Sequence, residues 1–167
     1  HVTLGGHMVA STQGLERLGT ELERRGHDVI PFLANGVRYT MPPAGICDAV
    51  RASDAVVLGM ASGADIASEE IAALEIAVEA KRPVALYSDT YGSWARPHFK
   101  DALRKLPKGI IFVLNNEEAE RAQAAYPNLT VVDSGNPVWE DFFFPVITRE
   151  QARAKLGVPD DTKVIFV

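Results

Sequence analysis

The chain has 167 residues, 47% of them hydrophobic and 23% charged, with a formal net charge of −5. That length suffices for one well-buried core, and an acidic balance without a Lys/Arg run argues against a nucleic-acid partner. The single cysteine, Cys47, excludes an intrachain disulfide and argues against a zinc cluster, and the longest apolar runs fall far short of a membrane span. The cytoplasm is therefore the expected compartment. No metal or cofactor is expected, and self-association into a homo-oligomer stays open.

In chain order, short apolar runs alternate with helical patterns. The runs are residues 2–4, 29–33, 55–58, 84–87, 110–114, 130–132 and 164–167. Most are apolar throughout rather than alternating, as strands covered on both faces are. A first helix is predicted over residues 12–25, with Leu15, Leu18 and Leu22 at helical spacing and Gly26 as its stop. A second is predicted over 68–80, with Ile71, Leu74 and Val78 on one face. A third opens at Asn115 with Glu118 three residues on, and runs to Ala125. A fourth opens at Thr148 with Gln151 and stops at Leu156-Gly157. Both openings have capping-box spacing. Pro42-Pro43, Pro97 and Pro107 read as loops, and residues 135–145 as an aromatic-rich stretch without helical period. Strand and helix in repetition predict an α/β fold, a three-layer Rossmann-like doubly wound parallel sheet. The first domain is expected over residues 1–147. Residues 148–167 read as the junction helix and first strand of a second domain that is expected to be truncated or missing.

Three turns fall at strand ends, where open α/β sheets bind ligands. Gly5-Gly6-His7 joins the first strand to the first helix. It brings backbone N–H groups and a helix end to one point, with an imidazole able to exchange a proton. Its plain alternative is a tight turn with a solvent-facing His. Gly59-Met60-Ala61-Ser62-Gly63 follows the third run; small residues permit close approach, and the absence of a following Lys rules out a P-loop. Ser88-Asp89-Thr90-Tyr91-Gly92 follows the fourth, with three hydroxyls and a carboxylate suited to a sugar or ribose; a helix cap and turn is the alternative reading. Trp94, Arg96, His98 and Phe99 read as a loop for stacking or anion binding. Glu69 and Glu70 read as solvated first-turn acids favoured by the helix dipole.

Residues 1–10, ending Gly-Gly-His-Met-Val-Ala, and residues 22–29, Leu-Glu-Arg-Arg-Gly-His-Asp-Val, resemble the opening of the GT-B glycosyltransferases, which have two facing Rossmann-like domains. The likeness is to the group that adds N-acetylglucosamine to lipid-linked muramyl-pentapeptide. Thr3-Leu4 stands where that motif has its earlier glycines, which counts against phosphate binding by this loop. Ser134-Gly135-Asn136-Pro137, then a short helix ending Leu156-Gly157-Val158-Pro159, is similar to the interdomain junction of the same superfamily.

The resemblance implies transfer of a sugar from a nucleotide-sugar donor to a hydroxyl-bearing acceptor, which in that group is lipid-linked. This half would bind the acceptor, and the other half most of the donor. His7 would be the general base, and Asp89 would position the attacking hydroxyl. Gly5, Gly6, Gly59, Ser62, Ser88, Thr90 and Tyr91 would line the site, with Asn136 at the cleft. A nucleotide-sugar 2-epimerase and a non-enzymatic binding module are the other readings. Residues 53–57, 75–77 and 81–84 also resemble nucleoside 2-deoxyribosyltransferases, for which Glu75 would be the nucleophile and would have to sit beside Ser62.

Overall fold

A computed structural model describes residues 1–34, 45–140, 146–159 and 161–163. The expected strand over 164–167, the loop at Pro42-Pro43 and residues 141–145 of the aromatic stretch lie outside the described residues. The chain divides into two compact units, His1–Pro137 and Val138–Val167.

In the first unit, six apolar runs form strands: β1 (Val2–Gly6), β2 (Val29–Leu33), β3 (Ala55–Gly59), β4 (Val84–Tyr87), β5 (Ile110–Val113) and β6 (Thr130–Asp133). Its helices are α1 (Val9–Arg24), α2 (Ile46–Ala52), α3 (Ser68–Glu79), α4 (Pro97–Lys105) and α5 (Asn116–Ala125). The strands make one sheet in the order β2-β1-β3-β4-β5-β6. Every neighbouring pair is parallel. This is the three-layer Rossmann-like α/β architecture read from the sequence.

Consecutive strand residues separate into two cores because side chains alternate across a sheet. Leu4, Leu33, Val57 and Tyr87 pack with Leu15, Leu18 and Leu22 of α1. Phe32, Val56, Leu58, Leu86 and Ile111 belong to the larger core, with Val50 of α2, Leu74 of α3, Leu103 of α4 and Ala122 of α5. Both faces are thus covered by helices, which explains why the strands are apolar throughout. Leu4, Leu58, Leu74, Leu86 and Leu103 are fully buried, and burying each such side chain stabilises the fold by about 1.5–3 kcal/mol.

Two helices depart from the sequence reading. Trp94, Arg96, His98 and Phe99 are not a loop. Ser93–Ala95 forms a 3-10 turn, and α4 follows with Pro97 in its first turn. A proline there forfeits a hydrogen bond the helix could not make anyway. Phe99, Ala102, Leu103 and Leu106 fall at i, i+3, i+4 and i+7 and are all buried. The seven-residue α2 buries Ile46, Ala49 and Val50 by the same spacing.

In the second unit, α6 (Arg149–Leu156) has its complete capping box between Thr148 and Gln151, and ends on Gly157 in the left-handed region. Arg153 donates to the Thr162 carbonyl at 2.7 Å and also to that of Pro159. Among the described residues, no helix is long and apolar enough to cross a membrane.

Candidate functional site at the sheet switch point

The chain runs from β1 outward to β2, then returns past β1 to lay down β3 on the other side. That reversal opens a crevice at the carboxyl ends of β1 and β3. Because all six strands are parallel, the turns after β1, β3 and β4 leave from one rim of the sheet.

Glu70, in the first turn of α3, ties two of these turns together. Its side chain is fully buried. Oε1 accepts the His7 backbone N–H at 3.1 Å, and Oε2 accepts the Ala61 N–H at 2.8 Å. Burial pushes this carboxyl above its usual range, against the pull of those two bonds and of His7. The reading of Glu70 as a solvated surface acid is therefore corrected. The missed signal was its phase: Glu70, Ala73, Leu74 and Ala77 form the buried face of α3 at i, i+3, i+4 and i+7. Glu69, one residue earlier, is half exposed as expected, and its Oε2 lies 3.3 Å from His7 Nε2. The His7 side chain is 21% exposed, and its enclosed Nδ1 has no hydrogen-bond partner among the described residues.

The glycines serve packing. A Cβ at Gly5 would lie 2.9 Å from Ile46 and Leu58, at Gly6 3.0 Å from Leu15, and at Gly59 2.9 Å from Ser11 and 3.2 Å from Glu70 Oε1. The room that these residues leave is filled by the protein's own side chains. Ser62 is exposed, and its hydroxyl reaches Met8 Sδ across the crevice at 3.9 Å.

The turn after β4 brings in Ser88 and Asp89, both buried. Ser88 Oγ donates to the Thr90 carbonyl at 3.1 Å, and Ser93 Oγ lies 3.4 Å from Asp89 Oδ1. Burial raises the Asp89 carboxyl, partly offset by Arg96, and the Asp89 charge in turn contributes to the rise at Glu70. Thr90 Oγ1 bonds the Ser93 hydroxyl at 2.8 Å and accepts from Arg96 Nη2 at 3.0 Å. Tyr91 is 64% exposed, with its hydroxyl 3.4 Å from Asn115 Nδ2. Asn136 Nδ2 reaches the Asp89 carbonyl at 3.5 Å. His98 Nε2 lies 2.9 Å from the Ala61 carbonyl, joining the start of α4 to the turn after β3. The turn after β4 is anchored by Glu118, whose Oε2 accepts from Gly92 N at 2.7 Å and Trp94 Nε1 at 2.8 Å. In the sequence Glu118 reads only as the capping partner of Asn115; its side chain is instead turned inward.

The structure therefore brings together His7, Glu69, Glu70, Ala61 and Ser62, with Asp89 close enough to Glu70 for their charges to interact. Tyr91 and Thr90 are farther out on the turn after β4. Glu75 is exposed and lines a 270 Å³ groove between α3 and α4 with Val78, Glu79, Ala102 and Lys105. It lacks the placement beside Ser62 that a deoxyribosyltransferase nucleophile would need. Among the described residues, no group of three or more His, Cys, Asp or Glu is arranged to hold a metal ion. Comparison with protein-family models, curated proteins and solved structures finds no match.

Proposed function

We propose that this domain is the acceptor-binding half of a cytoplasmic glycosyltransferase that uses a nucleotide-sugar donor. The observation that carries the reading is the His7–Glu69 pair at the end of β1, in the crevice where the sheet reverses. A histidine beside a carboxylate at a strand end is placed to act as a general base. Nδ1 is enclosed, so the ring acts as the tautomer protonated at Nδ1: Nε2 takes the proton, and the new N–H faces Glu69 Oε2 at 3.3 Å. The acceptor hydroxyl loses its proton to Nε2, its oxygen bonds the anomeric carbon, and the nucleoside diphosphate leaves with the bonding pair of the broken C–O bond. Ser62, the Asp89 turn and Asn136 hold the acceptor. Glu70 occupies the N–H groups that would otherwise face a phosphate, which supports an acceptor site here and a donor site on the other half.

The test is product analysis of the intact protein with a panel of nucleotide-sugars and hydroxyl acceptors. A new glycosidic bond is expected. A free epimerised sugar would replace this reading with the epimerase one, and no turnover of any donor would favour a binding module.

A further inference from the structure

The turn from a parallel strand into a helix usually presents bare backbone N–H groups, and phosphate is the common ligand. Here one such group from each of two turns is occupied. The two Glu70 oxygens accept the N–H groups of His7 and Ala61 at 3.1 and 2.8 Å, from a side chain with no exposure. α1 begins two residues after His7 with no side-chain cap and no acid in its first turn, so the positive end of the helix has Glu70 as its neighbouring negative charge. The space is also closed on one side. A Cβ at Gly59 would meet Ser11 at 2.9 Å and Glu70 Oε1 at 3.2 Å, so the side of the carboxylate that faces β3 is packed against backbone. Asp89, buried and near enough to interact with Glu70, adds repulsion toward an incoming anion.

We infer that Glu70 is a resident anion that fills the phosphate position of the β1 turn, so that this crevice admits uncharged hydroxyl-bearing ligands and rejects phosphoryl groups at that point. Glu70 is thereby a specificity-determining residue. It acts by holding the two turns and by excluding a competitor. The identification of the admitted ligand as a sugar acceptor rests on the proposed function; the exclusion of phosphate does not, and its test reads no transfer.

The experiment is a titration of the ¹⁵N-labelled protein with inorganic phosphate, and separately with formate, at fixed ionic strength. In the wild type, the His7 and Ala61 amide resonances stay in place with both anions. In Glu70→Ala both resonances move, with an affinity for phosphate or formate at least about tenfold higher than the wild type's, as two charge-assisted N–H bonds allow. Formate also raises the thermal midpoint of Glu70→Ala and leaves that of the wild type unchanged. Movement of these two amides by phosphate in the wild type overturns the inference, as does a folded Glu70→Ala that responds to neither anion. Should Glu70→Ala be unfolded in chloride alone, recovery of its dispersed spectrum by formate or phosphate supports the inference, and failure of both overturns it.

Discussion

Glu69 and Glu70 are sequence neighbours in opposite environments, one half exposed beside the His7 ring and the other fully enclosed. Successive helix residues differ by about 100° in direction, so one step turns a surface acid into a core one. The composition of the first turn suggested the helix dipole for both; only the phase against Ala73, Leu74 and Ala77 separates them. The buried carboxylate has a measurable consequence. Its folded-state value is raised above 4.5, so the native state binds that proton more tightly than the unfolded chain does. Stability contributed by Glu70 is therefore fully present below about 4.5, where both states are protonated, and falls as pH rises through the raised value. Denaturant midpoints measured across that range are expected to show a downward slope in the wild type that is reduced in Glu70→Gln. Parallel slopes for the two proteins would mean that this carboxyl titrates as if exposed.

At the scale of elements, the strands were legible and two helices were not. β2 and β4 begin and end where the apolar runs do, because burial on both faces leaves a continuous signal that turn residues interrupt. α4 was hidden by Pro97, which reads as a loop marker unless the spacing of Phe99, Ala102, Leu103 and Leu106 beyond it is followed. α2 was hidden by its length, a single apolar face of three residues. Capping chemistry was legible to different degrees. Thr148 and Gln151 form both reciprocal bonds, whereas at α5 Asn115 accepts from Glu118 N at 2.9 Å while the Glu118 carboxylate goes to Gly92 and Trp94. Asn115→Ala is expected to lower unfolding stability by about 1 kcal/mol, the usual cost of a lost N-cap, read from denaturant midpoints. An unchanged midpoint would mean that the cap contributes nothing to this helix.

For the molecule as a whole, the parallel sheet puts the turns after β1, β3 and β4 on one rim, and that much followed from strand ends alone. His7 and Asp89 stand out in the sequence because each lies just beyond an apolar run. Glu70 was not found, because its role depends on α3 packing back across the rim to bond two turns at once, a contact spanning 63 residues to His7. The same holds for His98, which reaches Ala61 across 37 residues. Long-range bonds of this kind leave no local pattern to read. The proposed transfer depends on His7 acting as the base. Turnover and donor affinity of the intact protein carrying His7→Gln test this most directly. Turnover is predicted to fall by about 10²–10⁴-fold with donor affinity unchanged, the loss typical of a general base. Turnover equal to that of the wild type would contradict it.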